Sequence, residues 1–373
     1  MTKSNPPSRR SRSTPPLRLG FLPENDCAPA AVAREFDYFT AHGLEVELHR
    51  QNSCASLRDH LVNGLLDAAI APATLPFVLT LGLDFEHCAC VSGLVTSLQG
   101  NALTVSRHLY DKGVRDAATL RERIFKDWGK RTYTFGVIFP YSPQYFLLCQ
   151  WLRSAGLVPH SHVRIVVIPP EQMFPTMELG YLDGFCVGEP WTSVAVASGA
   201  GVALATSVQL APLHPEKALV VRAEFAAQNQ EAHAHLIAAL IEAGQFCERP
   251  DNCDALCELL ARPEYVNAPP ECIRPGLAGP FTTHGRRVQN LRGLNVFAAH
   301  HANEPSDARV DWITNHLWRY IHDGGESSDV RRPSHILRQD IYRAALKRLR
   351  PAPPARKAGR RCVMAAEALC AHA

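Results

Sequence analysis

Residues 133–155 read YTFGVIFPYSPQYFLLCQWLRSA, and the change of pattern inside them decides the fold class. Tyr133–Phe139 is a short β-branched and aromatic run, which predicts a strand. Ser142–Ala155 predicts a helix. Between them, Pro140-Tyr141-Ser142-Pro143-Gln144 is a polar, proline-rich junction. A strand that hands over to a helix through so short a junction is the repeating unit of α/β architecture.

The same unit recurs on both sides. Upstream, Leu17–Leu22 predicts a first strand, and a helix follows to about Thr40 with Asp26 as its N-cap. Leu44–Arg50 alternates as a strand, Ser53–Gly64 is a helix capped by Ser53, and Leu66–Ala71 is a short buried strand. A helix over Ala73–Gly82 and a strand over Cys88–Leu94 complete that series, and Arg115–Phe125 is helical. Downstream, strands at Val163–Ile168, Asp183–Val187 and Gly201–Thr206 alternate with helices at Pro170–Gly180 and Pro190–Ser198. Ala218–Arg222 reads as a strand returning to the first series. The rest is mainly helical, at 232–246, 254–261, 270–277 and 307–320. No period of about 20–50 residues appears, which excludes a solenoid.

The chain has 373 residues, 46% hydrophobic and 20% charged, enough for two lobes with their own cores. Two βα series predict a two-lobed α/β protein with a ligand cleft between the lobes. The expected divisions are a basic tail over 1–16, a first lobe from 17–102 and 213–345, a second lobe over 103–212, and a basic tail over 346–373. The net charge of +3 conceals an acidic body. Residues 1–18 carry five basic residues, residues 331–361 carry eleven, and residues 19–330 hold 23 basic against 34 acidic residues. That distribution is unlike a nucleic-acid-binding face. Ser8-Arg9-Arg10-Ser11 is not followed by the apolar run of an export signal, so a cytoplasmic location without stable membrane association is expected. Twelve cysteines are then expected as free thiols.

Catalytic signatures are absent: there is no nucleophile elbow, phosphate loop or zinc-protease helix. Cys247, Cys253 and Cys257 lack the spacing of a zinc site. No enzyme activity, cofactor or metal is expected. The polar junctions Asn25-Asp26-Cys27, Asn52-Ser53-Cys54, Pro72-Ala73-Thr74, Pro140 to Gln144 and Gly188-Glu189-Pro190-Trp191 place helix N-termini at strand ends. That arrangement suits a small anion, although any one junction is also explained by ordinary capping.

At these junctions the sequence resembles a known family. LRLGFLPENDCAP (17–29), LDAAIAPATLPFVLTLGL (66–83), GNALTVS (100–106), DGFCVGEPW (183–191), HPEKAL (214–219) and YVNAP (265–269) are similar to nitrate-binding proteins. That family comprises substrate-binding components of nitrate and bicarbonate ABC importers and cytoplasmic nitrate/nitrite sensors of the NasS kind, to which this chain is closest in character. The resemblance implies a periplasmic-binding-protein type II fold. It implies nitrate or nitrite as ligand and Lys217 as the ligand's ammonium. Gln144 offers an amide donor, and Gln99, Gly100 and Asn101 sit where backbone N–H groups can approach the ligand. Glu189 is an acceptor that suits nitrate only if another donor neutralises it. A bicarbonate-binding member would need such an acceptor. Where nitrate importers of the family place an aromatic residue, this chain has Thr96-Ser97-Leu98. For the sensor branch, the resemblance implies an ANTAR-class transcription antiterminator as partner, held by the ligand-free form, with no direct nucleic-acid contact. The alternative is the substrate-binding subunit of a nitrate or bicarbonate importer.

Overall fold

The computed structural model describes residues 15–284, 287–291, 294–321, 333 and 335–350. Residues 1–14 and 351–373 of the two expected tails lie outside the described residues. The strands in chain order are β1 (Leu17–Phe21), β2 (Val46–Arg50), β3 (Ala68–Pro72), β4 (Cys90–Val91), β5 (Val95–Gln99), β6 (Asn101–Ser106) and β7 (Thr134–Val137). They continue with β8 (Arg164–Val167), β9 (Gly184–Gly188), β10 (Gly201–Thr206), β11 (Pro215–Arg222), β12 (Gly279–Thr283), β13 (Arg287–Leu291) and β14 (Asn295–Val296).

Two sheets form two lobes. The first runs in the order β14-β5-β11-β3-β1-β2, with β4 also paired to β11. The second runs β10-β6-β9-β7-β8. Within the first, β1 is parallel to β2 and β3, and β11 enters antiparallel beside β3. In the second, β7 is parallel to β8 and β9, and β6 is antiparallel to β9 and β10. Strands whose faces are covered on both sides read as continuous apolar runs. Accordingly β3, β9 and β10 are buried at every residue.

Most sequence-expected elements occur with shifted ends. The 26–40 helix is interrupted. Asn25–Cys27 is a 3-10 turn, the α-helix Ala28–Glu35 follows, and Asp37 at φ 61° starts a separate turn, Tyr38–Ala41. Asp26 therefore does not cap the helix; Cys27 occupies that position. The expected strand over 88–94 is only the two-residue β4, and the longer strand is β5, directly after it. The hairpin β12–β13 lies in a region read as helical.

The chain leaves the first sheet after β5 and enters the second with β6, so the crossing falls at Gly100, three residues before the expected border at 103. It returns between Thr206 and Pro215. Two segments assigned by sequence to the first lobe lie against the second. His284 N–H donates to the Ala203 carbonyl, joining the hairpin to β10. The helix Asp307–Ile321 stacks Tyr320 edge-on against Tyr141 and Tyr145 and sets Trp312 against Phe146. The C-terminal third thus straps the lobes together.

The lobes are closed on each other. Arg50 of the first reaches Glu171 of the second at 2.6 Å, and Tyr141 hydrogen-bonds to Asp84. Asn25 N–H donates to the Glu189 carbonyl at 2.7 Å, and Trp191 Nε1 donates to the Pro23 carbonyl at 2.8 Å. No helix among the described residues is long and apolar enough to cross a membrane.

Candidate binding site in the cleft

The carboxyl ends of β1 and β9, the start of β6 and the start of β11 meet between the lobes, where open α/β sheets hold ligands. Lys217 stands at their centre. It pairs in register with Pro72 on one side and Ser97 on the other, and its side chain is fully buried. A strand normally sends neighbouring residues to opposite faces. Here the β11–β5 register shifts on both sides of Lys217, a bulge-like irregularity. Consecutive Glu216 and Lys217 both reach the cleft, with Nζ 2.9 Å from Glu216 Oε1.

Two more carboxylates complete the shell. Lys217 Nζ lies 3.0 Å from Glu24 Oε2 and 2.8 Å from Asp26 Oδ2. An ammonium has three N–H donors, and three carboxylates surround this one. Glu216 collects further donors, Gln144 Nε2 at 2.8 Å and Asn101 Nδ2, and His214 Nε2 lies 3.1 Å from it. The other His214 nitrogen, Nδ1, faces the Ala211 carbonyl at 2.8 Å. Glu24 Oε1 accepts the Gly188 N–H from the second lobe at 3.0 Å. A Cβ added at Gly188 would collide with that oxygen, so this close approach requires glycine.

Electrostatics differ across the trio. Burial pushes Glu216 up, but the Lys217 ammonium and the His214 hydrogen bond outweigh it and hold the carboxyl below its usual range. Burial wins at Asp26, reinforced by Glu24 and Glu216 against the pull of Lys217, and drives it to about 7. Glu24 is raised for the same reasons. Lys217 is stripped of water, which lowers it, yet Asp26, Glu216 and Glu24 together raise it well above the ordinary lysine value. The ammonium is therefore the fixed charge and the carboxyls are the groups that titrate.

The sequence-derived residues fall into two groups. Lys217, Asp26, Gln144 and the side chain of Asn101 come together in one cluster. Lys217 is not a free cation awaiting an anion, because carboxylates already enclose it. The Asn101 backbone N–H goes to Ser207 Oγ at 3.2 Å, so this residue faces the cluster with its amide side chain. Gln99 and Gly100 form the crossing. Gln99 Oε1 accepts the Leu213 N–H at 2.9 Å, tying the two crossing segments, and the Gly100 carbonyl accepts the Glu189 N–H at 2.9 Å. Gly100 has φ 95°, and a Cβ there would strike Asn295. Glu189 stands apart from Lys217. Its Oε2 accepts from Ser193 Oγ at 2.5 Å and Ser193 N–H at 3.3 Å, inside the first turn of the helix Trp191–Ala197. Burial raises it to about 8 against those two hydrogen bonds.

Glu24, His214 and Glu216 were not singled out from sequence as site residues. The signal was present in PEND and HPEK, but alternation along a regular strand would have turned Glu216 away from Lys217. Two of the five helix N-termini proposed as anion sites are capped by their own serines. Ser53 accepts from Ser56 N–H, and Ser142 from Tyr145 N–H at 3.1 Å. Among the described residues, no group of three or more His, Cys, Asp or Glu is placed to hold a metal ion.

A pair of sheets linked by two crossings, closed around a buried polar cluster, defines a two-lobed substrate-binding protein. Residues 10–261 match the model of the NMT1-like family. The chain belongs to that family and, within it, to the substrate-binding proteins of nitrate and bicarbonate transporters. It is 30% identical over 344 residues to the nitrate/nitrite binding protein NrtA of Synechococcus elongatus, covering 89% of this chain and 77% of that protein. It is 33% identical over 336 residues to the nitrate import ATP-binding protein NrtC of Synechocystis, covering 89% of this chain and 50% of that protein. The chain spans about half the length of that relative and of others like it. The crystal structure of periplasmic nitrate-binding NrtA from Synechocystis superposes with TM-score 0.84 at 26% identity, covering 91% of both chains.

Proposed function

We propose that the chain binds nitrate or nitrite between its lobes and works as a cytoplasmic sensor. In this reading its ligand-free form holds an ANTAR-class antiterminator and its liganded form releases it. The observation that carries the binding part is the closed cleft, in which amide and ammonium donors from both lobes converge on one buried cluster. Similarity to named nitrate-binding proteins supports the ligand class. No enzymatic role is proposed. The ligand acts by binding the closed form better than the open one, and only that difference in affinity moves the partner equilibrium. Capture of the antiterminator with and without nitrate tests the sensor reading; equal capture refutes it.

The second reading is the substrate-binding subunit of an importer, with bicarbonate as an alternative ligand. It is favoured by the unpartnered buried acceptors Asn101 Oδ1, Gln144 Oε1 and Glu189 Oε1, which suit a ligand carrying its own O–H. Calorimetric titration with nitrate, nitrite and bicarbonate separates the ligands, and cell fractionation separates the roles.

A further inference from the structure

We propose that the cleft takes its anion together with a proton, delivered to the carboxylate trio around Lys217 and to Asp26 first. This rests on the oxyanion reading above. The geometry requires it in three steps. The Lys217 ammonium faces Glu24 at 3.0 Å, Asp26 at 2.8 Å and Glu216 at 2.9 Å, which accounts for all three of its donors. The amides of Gln144 and Asn101 donate to Glu216, and the His214 ring packs against the same carboxylate. An entering anion therefore meets three buried carboxyls around one ammonium, and the ammonium and both amide nitrogens already have a carboxylate partner.

A proton on Asp26 changes that arrangement at one atom. An O–H bond forms at the carboxyl, so an acceptor becomes a donor. The Lys217 N–H that Asp26 had accepted becomes available to a ligand oxygen. The cluster loses one negative charge just as the ligand brings one, so the buried charge is unchanged. Solvent or buffer supplies the proton, and nothing is oxidised or reduced.

Asp26 is the natural acceptor of the proton. Glu216 is held as a carboxylate by Lys217, Gln144, Asn101 and His214, and Glu24 also accepts the Gly188 N–H. The charged and titratable groups facing Asp26 are Lys217 and Glu216 from β11 and Glu24 from its own segment. The thiols that feel this cluster, Cys27 beside Asp26, Cys54 at the start of the helix Cys54–Val62 and Cys186 in β9, are driven up by burial, Cys54 to about 12, and stay neutral. With the free-site value near 7, the sign is definite. Above that pH the site must take up a proton on binding, and below it the proton is already in place.

The test is calorimetric titration of the full chain with nitrate from about pH 6 to about pH 9, in two buffers of different ionisation enthalpy. The expected result is uptake of about one proton per nitrate at high pH, with Kd rising about tenfold per pH unit above pH 7 and flat below. Asp26→Asn, whose amide cannot titrate, should abolish the slope. A Kd independent of pH with no proton uptake overturns the proposal. A wild-type slope in Asp26→Asn overturns the assignment to Asp26, and the proton count on the unmodified chain needs no variant to fold. Failure to bind nitrate, nitrite and bicarbonate even at pH 6 overturns the oxyanion reading itself, and this inference with it.

Discussion

Replacing Lys217 with methionine keeps the side chain's length and deletes its charge. A lysine that only waited in the cleft for an anion would bury little core, and its loss would leave the fold intact. The structure reverses that expectation, because Lys217 is among the largest fully buried side chains and touches three carboxylates. Removing one partner of a buried ion pair costs about 3–5 kcal/mol, since the other charge is left without compensation. Here three charges are left. They respond partly by binding protons, so the penalty is largest at high pH and shrinks below about pH 6. Unfolding entropy of about 2.1 cal/mol/K per residue gives about 0.8 kcal/mol/K for a chain of this length. A loss of about 4 kcal/mol then lowers Tm by about 5 °C if the strapped lobes unfold together. Calorimetric melts of wild type and Lys217→Met at about pH 8 and pH 5.5 measure this. A drop under about 1 °C at the higher pH would refute the argument that Lys217 is the hub holding the cleft shut.

Three further outcomes follow from the same contacts. Gly188→Ala forces a methyl group against Glu24 Oε1, so the closed form should be disfavoured, with weaker ligand binding and a larger radius of gyration by small-angle scattering. Asp26 and Glu189 have folded-state values of about 7 and about 8, above their unfolded ones. Their contribution is therefore complete at about pH 4 and is lost as pH rises through about 8, and melts of wild type and Glu189→Gln should show a shallower decline in the variant. Ser53→Ala removes the cap that accepts the Ser56 N–H at 3.1 Å and should cost about 1 kcal/mol in denaturant titration without changing ligand affinity.

The opening stretch shows how local the legible part was. Its strand became β7 and its helix became Pro143–Arg153, capped by Ser142 as the Ser-Pro junction suggests. Each depends on neighbours in sequence: β-branched runs, a capping hydroxyl, proline at the first turn. Gly100 shows the other side: the structure gives the crossing there, with φ 95° and no room for a Cβ beside Asn295, whereas the sequence set the border at 103. The hairpin β12–β13 was not legible, because its strands pair with each other and against β10 in the other lobe, without a strong local pattern.

By itself, then, the sequence determined the two βα series and the motifs that name the family, while the structure moved the crossing from the expected border at 103 to Gly100. Only the tertiary structure decided what Lys217 does. Its partners come from residues 24, 26 and 216, brought together by β1 lying beside β3 and β3 beside β11, and by a register shift that turns Glu216 inward. Charge alone cannot distinguish an ammonium that waits for an anion from one already enclosed by carboxylates. The distances between chain segments make that distinction, and here they describe an ammonium enclosed by three carboxylates.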